Sequence, residues 1–522
     1  MSSSLLLSTL ALAGSAAATP KFLAPENDIN LPAGANAANP LHWWLSGDNV
    51  YGISSDIPEG CVVDMASYNL RHGSRFPDSG AYNGWVDMYE RFQNASFTAT
   101  GSLSFIKSWT PVLTHPEVQI AKLSPTGWKE SHDLGYTLRT RYPKLYTEGD
   151  DMYVWANKYP RVVQTAQLFL GGYLGTNATL LGKVVSVDSK TTSVGIGNSL
   201  SPSDQCPLFE DSSGRAERDI WGSVFIPPIK TRLMAMLDLA EGEDFEFTDN
   251  DITQMPYLCG FESQITGWLS PWCDVFTDDE FMSYEYWNDM RYFYGMGVGT
   301  DLEKTVMTPY LRDLVDIFAT GPGSTAVKDE NGEDTTIPSL IMAFMNDGQL
   351  NELAVSSGVY DGHGMLDPEV RDDDRLFMAR RLGVMRGTVA LERMVCKEGA
   401  GSGDNTEGGD GPGCKAKRGT SKRSTESSVN RRSPKLSNHS TTPAGTYIRI
   451  LLNEAVYPVP SCQSGPGRSC PLDEYVAYVH NKVAQEGDWM ANCNVTDPEA
   501  PGKAGANFFT DLTLNSLEIV RP

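Results

Sequence analysis

Two near-continuous apolar runs, Leu340-Ile-Met-Ala-Phe-Met345 and Tyr447-Ile-Arg-Ile-Leu-Leu452, constrain this chain more than any other feature of it. Neither alternates apolar with polar residues, so neither has a face to give to water. Strands of that kind lie between two layers, as in a sheet covered by helices on both sides. Two further strand-like runs are Cys61-Val-Val-Asp-Met-Ala-Ser-Tyr68 and Met152-Tyr-Val-Trp-Ala156. Helical patterns fall between the runs, for example at Thr126–Tyr142 and Arg161–Tyr173. The alternation predicts an α/β fold: a mostly parallel central sheet flanked by helices.

At 522 residues the chain exceeds what one growing core supports, so a second lobe or insertion is expected. Residues 202–319 supply it, because helical patterns there follow one another without intervening strands. Lys230–Ala240 is one, Thr277-Asp-Asp-Glu280 is a capping box opening Glu280–Tyr294, and Val306–Ala319 is another. The expected organisation is a discontinuous α/β core from 20–201 and 320–522, with 202–319 as an inserted α-helical domain forming the wall of a cleft. Residues 397–443 are Gly-rich and then basic, with almost no large apolar side chain. Such a segment cannot offset its ordering entropy and is read as a disordered surface insertion.

The start of the chain bears on compartment. Leu5–Ala13 is a short apolar run followed by Gly14-Ser-Ala-Ala-Ala18, the pattern of a secretory signal peptide over 1–19. No later stretch reaches the ~18 apolar residues of a membrane span. Sequons at Asn94, Asn177, Asn438 and Asn494 agree with export as glycosylation sites. The protein is therefore expected to be secreted, extracellular or cell-wall associated. Nine cysteines in an exported chain favour disulfides, and none has metal-site spacing. Cys259/Cys273 and Cys462/Cys470 are close enough to pair locally, while Cys414 lies in the segment that does not fold. A net charge of −24 disfavours nucleic acid and anionic membranes as partners. It also repels a phosphorylated ligand unless the few cations are concentrated at the site.

Such a concentration occurs at Leu70-Arg71-His72-Gly73-Ser74-Arg75-Phe76-Pro77, directly after a predicted strand. Hydrolysing a phosphomonoester needs donors over the equatorial oxygens, an in-line nucleophile and an acid for the leaving oxygen. Guanidinium forks grip phosphate oxygens bidentately, and a neutral imidazole nitrogen can accept phosphorus. Gly73 allows the backbone to approach the anion closely.

RHGSRFP resembles the RHGxRxP signature of the histidine acid phosphatases, in the branch of fungal-type secreted acid phosphatases and phytases. The resemblance runs from about Asp64 to Cys493. Cys61 precedes Arg71 by ten residues, as that family's cysteine does, and Tyr159-Pro-Arg-Val-Val-Gln-Thr-Ala166 is similar to its Arg-Val-x-x-Ser-Ala segment. Leu391–Cys396, Tyr447–Asn453 and Gly487–Cys493 follow in order as later landmarks. The resemblance implies His72 as covalent nucleophile and Arg71, Arg75 and Arg161 as phosphate ligands. It implies no metal or other cofactor, and a small phosphomonoester as the partner. It further implies the disulfides Cys61–Cys396, Cys206–Cys493, Cys259–Cys273 and Cys462–Cys470, leaving Cys414 alone.

One departure stands out. The family's second signature is a His-Asp pair after a late strand, and the matching place here reads Met345-Asn346-Asp347. The expected proton donor, Asp347, is present; the histidine that helps hold phosphate is Asn346. An amide still donates hydrogen bonds but carries no charge. His132-Asp133 spells the missing pair, yet it falls inside the Thr126–Tyr142 helix before Arg161 and is read as structural. His42, His115, His363, His439 and His480 have no partner constellation in the sequence. The expected activity is acid phosphomonoester hydrolysis through a phosphohistidine. The alternatives are a phytase, or a phosphate-ester-binding pseudoenzyme weakened by Asn346.

Overall fold

The computed structural model describes residues 49–190, 193–210, 214–399 and 444–522. The leader segment, most of the 397–443 insertion, Asn438, His42, His439 and Cys414 lie outside the described residues.

Eight strands form the path of the central sheet: β1 (Cys61–Arg71), β2 (Met152–Asn157), β3 (Gly182–Val187), β4 (Leu340–Met345), β5 (Thr388–Cys396), β6 (Gly445–Leu452), β7 (Ala455–Val456) and β8 (Leu517–Val520). Their order is β7-β6-β5-β1-β4-β2-β3-β8, with Cys470–Pro471 also pairing to β6. The centre of the sheet, β1-β4-β2-β3, is parallel. Antiparallel strands extend it on both sides, β5 to β7 at one edge and β8 at the other.

The apolar runs behave as their composition requires. In β4, Leu340, Met342 and Phe344 enter one core and Ile341, Ala343 and Met345 the other. Two helices, α2 (Pro125–Arg141) and α3 (Pro160–Leu174), cover the first face. Over the second lie α7 (Thr308–Thr320), α8 (Asp347–Ser356) and α9 (Leu472–Glu486). Strand β3 was not among the expected strands because Lys183 and Ser186 interrupt its apolar run. It is nonetheless buried throughout, and Lys183 is matched by Asp151 at 2.7 Å, Glu330 at 2.6 Å and the Tyr153 hydroxyl at 2.7 Å.

The helical segment differs from expectation in two places. Its first helix is α4 (Arg215–Met234), not Lys230–Ala240, and it contains Pro227 and Pro228. Prolines lack an N–H and normally end a helical reading, which hides the fifteen-residue lead. Beyond it, Leu237–Leu239 is a strand, paired antiparallel with Phe97–Ala99. The segment is therefore not strand-free. Both capping boxes form: Thr248 with Asp251 opens α5 (Asp249–Thr266), and Thr277 with Glu280 opens α6 (Asp278–Met296).

The stretch beginning at α1 (Ser79–Asn94) packs onto these helices. Trp85 Nε1 donates to Gln254 at 2.9 Å, and Arg91 pairs with Asp251 at 2.6 Å. Cys61–Cys396, Cys206–Cys493, Cys259–Cys273 and Cys462–Cys470 are all joined. Among the described residues, no helix is long and apolar enough to cross a membrane.

Candidate active site

The carboxyl ends of β1, β2 and β4 point to one edge of the sheet, where open α/β folds place their ligands. At that edge β1 runs out at Arg71, and the loop 72–75 is stitched to its surroundings by the backbone. His72 N donates to Met345 O at 3.1 Å, Arg71 N to Gly387 O at 2.9 Å and Arg386 N to His72 O at 2.9 Å. Gly73 N donates to Thr165 Oγ1 at 3.0 Å, and that hydroxyl donates to Arg161 O at 2.8 Å. The next amide, Ser74 N, donates to the buried carboxylate of Glu130. Gly73 is required by contact: a Cβ there would lie 2.7 Å from Ser131 Oγ and 2.9 Å from Gly127 O.

His72 is 1% exposed. Its Nδ1 lies 2.9 Å from Gly73 O. A carbonyl only accepts, so Nδ1 carries the proton and Nε2 keeps its lone pair. Burial depresses the imidazole's basicity well below its ordinary value, and the charges of Arg71, Arg161 and Arg75 add to the effect; the bond to Gly73 opposes it only weakly. The surroundings thus favour the neutral ring.

Around it stand three guanidiniums. Arg71 donates through Nη1 to Gly383 O and places Nη2 3.3 Å from Asp347 Oδ2. Arg75 donates to Phe76 O at 2.9 Å, lies over the Phe261 ring at 5.7 Å and has its own carbonyl held by Gln264 at 2.8 Å. Arg161, at the start of α3, donates to Asn346 Oδ1 at 3.3 Å. Burial, with Arg75 and Arg71 nearby, brings its pKa down to about 10. The Nε atoms of all three are buried and meet no acceptor within the protein. Buried donors are rarely left so, and an oxyanion is the kind of acceptor such donors take.

Asn346 occupies the N-cap position of α8, but its side chain does not cap. It turns its oxygen to Arg161, and its amide hydrogens are not spent on the helix. Asp347 is the first residue of α8. Burial alone would raise its pKa, but Arg71, the Tyr292 hydroxyl, Arg291 and His72 outweigh burial and hold the carboxyl well below the usual range.

The structure thus brings His72, Arg71, Arg75, Arg161, Asn346 and Asp347 together. His132 is not among them: its side chain is 55% exposed on α2, beside an Asp133 that pairs with Lys129 at 2.6 Å. That helix is structural, with Gly135 fitted against the backbone of α3. Of the other described histidines, His115 and His480 pair with surface carboxylates, and His363 accepts from Phe377 N at 3.1 Å. Sequence reasoning missed Glu130, Thr165, Gln264 and Tyr292. Each acts through a contact made across more than fifty residues of chain, for which no local pattern exists.

A family model described as histidine phosphatase superfamily, branch 2, matches residues 67–353. A thiamine-repressible acid phosphatase of Schizosaccharomyces pombe is 32% identical over 462 residues, 83% of this chain and 84% of that protein. An acid phosphatase of Komagataella pastoris is 26% identical, with 86% and 84% covered, and a phytase of Candida albicans is 23% identical with the same coverage. Among solved structures, the phytase from D. castellii superposes with a TM-score of 0.72 at 20% identity, covering 91% of this chain and 89% of that one. The same fold recurs in a Bifidobacterium longum multiple inositol polyphosphate phosphatase, with a TM-score of 0.53 at 12% identity over 88% and 97% of the two chains. With the family match spanning more than half its length, from within β1 into α8, this chain belongs to branch 2 of the histidine phosphatase superfamily.

Proposed function

We propose that this protein is a secreted acid phosphatase that hydrolyses phosphomonoesters in two steps through a phosphohistidine. His72 Nε2 attacks phosphorus; an N–P bond forms as the P–O ester bond breaks, and Asp347 gives its proton to the departing alkoxide. Water then attacks phosphorus, the N–P bond breaks, Asp347 recovers a proton from that water, and inorganic phosphate leaves. Arg71, Arg75 and Arg161 hold the phosphoryl oxygens, and Asn346 donates from its amide.

The observation that carries this reading is the set of three buried, unsatisfied guanidinium Nε atoms around a neutral histidine whose Nδ1 proton is fixed by Gly73. Sequence similarity to acid phosphatases over more than four-fifths of the chain supports it. The test is an acid quench during turnover of a labelled ester. A phosphoenzyme that forms equally in His72→Ala defeats the mechanism, and a protein that binds phosphate without hydrolysing p-nitrophenyl phosphate is the weakened binder instead.

Export is supported by four disulfides and by exposed Asn94, Asn177 and Asn494. The wall of the cleft is assigned to the helices of 202–319, with α1 packed on them.

A second reading, action on a polyphosphorylated ester such as phytate, is favoured by a cluster of cations on that wall. Arg218 stacks 4.6 Å from the Trp287 ring. Burial lowers its pKa, Asp219 opposes, and the like charges of Arg291 and Arg215 lower it further. Arg291, next in sequence to the Tyr292 that donates to Asp347, ties this cluster to the reaction centre. A panel of mono- and polyphosphorylated esters, compared for wild type and Arg218→Ala, separates the two: a monoester specialist is unmoved by the substitution.

A further inference from the structure

The mechanism above assigns no role to Tyr292, the residue in closest contact with Asp347. It sits on α6, and its hydroxyl donates to Asp347 Oδ2 at 2.5 Å. Arg71 Nη2 lies 3.3 Å from that same oxygen. The phenol therefore donates to Oδ2, and the guanidinium charge stands beside that oxygen as an ion pair. An oxygen already accepting from a phenol, with a guanidinium charge beside it, is a poor place for a proton, so the acidic proton belongs on Oδ1.

Tyr292 is itself held firmly. Asn351, four residues after Asp347 on α8, donates to Tyr292 O at 3.2 Å and to Met296 O at 2.7 Å. The helix that carries the acid is thereby pinned to the helix that carries the phenol. Burial raises the phenol's own pKa, Asp347 raises it further, and Arg291 and Arg71 oppose without reversing the result. The hydroxyl therefore remains a donor across the working range of an acid enzyme. The charged and titratable groups facing Asp347 are Arg71 and His72 from β1 and its loop, Arg161 from α3, Tyr257 from α5, and Arg291 with Tyr292 from α6.

We propose that Tyr292 is a positioning residue for the proton donor: its hydroxyl engages Asp347 Oδ2 so that Oδ1 presents the proton to the leaving oxygen. The proposal rests on the reading of Asp347 as the acid. Because the same bond stabilises the carboxylate, Tyr292 also decides how far up the pH scale Asp347 keeps its proton.

The experiment is steady-state kinetics on the full chain across pH, with p-nitrophenyl phosphate and with an alkyl ester, glycerol phosphate. An activated phenolate leaves with little protonation, whereas an alkoxide needs it. In Tyr292→Phe the alkaline limb of kcat for the alkyl ester moves up by about one pH unit, the size one hydrogen bond to an ionised group supplies. At the acid plateau the nitrophenyl-to-alkyl ratio of kcat rises about twofold, because the proton now divides its time between both oxygens. A fluorotyrosine installed at position 292 alone, nearly isosteric and more acidic, moves the limb the other way. Equal losses for both esters with an unmoved limb, or the same direction of shift in both variants, overturn the proposal. Asp347→Asn in the same assay separates the two failures. If it leaves the alkyl ester unaffected, Asp347 is not the acid and the parent reading falls; if it depresses that ester while neither Tyr292 variant moves the limb, only the role of Tyr292 falls.

Discussion

Replacing Asn346 by histidine tests how much catalysis the departure from the family pattern costs. In the structure Asn346 spends its oxygen on a 3.3 Å bond from Arg161 and offers phosphate only neutral N–H donors. A neutral hydrogen bond nets ~0.5–1.5 kcal/mol and one involving a charged partner ~1.5–3. An imidazolium in place of the amide thus gains about 1–1.5 kcal/mol, and the lost Arg161 bond, long and half-exposed, returns a few tenths. If the surplus is felt in the transition state, kcat rises roughly three- to ten-fold. The gain must depend on pH. Burial, with the three guanidiniums adding, favours neutral His72, and a second imidazole beside those cations is favoured neutral too until the phosphoryl group brings negative charge. The increase in Asn346→His is therefore expected on the acid side and fades towards neutrality, while the melting temperature stays put. The assay is kcat against pH for p-nitrophenyl phosphate and an alkyl ester, with the acid-quenched phosphoenzyme measured in parallel. Unchanged or lower kcat at acid pH, with a normal phosphoenzyme yield, would refute the reasoning. It would mean that the amide already supplies what the histidine supplies elsewhere.

Gly73→Ala places a Cβ 2.7 Å from Ser131 Oγ and 2.9 Å from the immovable Gly127 carbonyl; kcat should fall more than about 100-fold for a stability loss of only ~1–3 kcal/mol, read by kinetics and thermal melts. Cys396 and Gly445 are direct cross-strand partners, so a short hairpin turn can replace 400–443; melting temperature should change by less than about 3 °C and kcat by less than about twofold. Asp289 is pushed up to about 7 by burial, with Glu285 adding and Arg375 opposing. Its folded pKa lies above the unfolded value of ~3.9, so the stability it contributes is complete below about pH 4 and is lost as pH rises through about 7. Asp289→Asn should flatten that part of the decline in melting temperature between acid and neutral pH.

The legible parts of this protein were those whose signal is local. Strand β4 announced itself because all six of its residues are apolar, and both faces are indeed covered. The Arg71–Arg75 loop was legible because RHGSRFP resembles a contiguous family signature, that of the histidine acid phosphatases. The Thr277 capping box fixed the start of α6 to within a residue or two. What escaped depends on distant partners. Strand β3 carries a lysine that only Asp151, Glu330 and Tyr153 make tolerable inside a sheet. Helix α4 runs through two prolines, because packing of Trp221, Phe225, Ile226 and Ile229 outweighs the lost hydrogen bonds. Glu130 lies one residue from Ser131 and two from His132, the decoy, yet it is the member of that helix that holds the catalytic loop. Only the fold could tell them apart, since a helix turns about 100° per residue and presents neighbours to different sides.

The electrostatics of the site resolve an apparent conflict in the mechanism. In the proposed mechanism Asp347 is the proton donor and should be protonated, but in the ligand-free protein its surroundings favour the carboxylate. At 3.3 Å from Arg71 its Coulomb attraction amounts to about 5 kcal/mol at an effective dielectric of ~20, before desolvation is charged against it. Three guanidiniums and one carboxylate leave the pocket strongly positive within a chain whose net charge is −24. A phosphoryl group is drawn to that pocket for the same reason that Asp347 is ionised there. Once bound, its oxygens take up the guanidinium donors, including the unsatisfied Nε of Arg71, and set negative charge beside Asp347. Both changes raise the carboxyl's pKa, so on the proposed mechanism the substrate itself converts the carboxylate into the acid that its departing alkoxide needs. The same exchange explains why His72 must be neutral by environment and not by pH. It faces three cations before the substrate arrives and has to hold a lone pair at an acidity where an exposed imidazole is protonated. Hydrolysis and release then return the site to its starting charge. Phosphate leaves, Asp347 gives up to solvent the proton it took from the attacking water, and Arg71 regains a carboxylate that takes a proton again when the next ester binds.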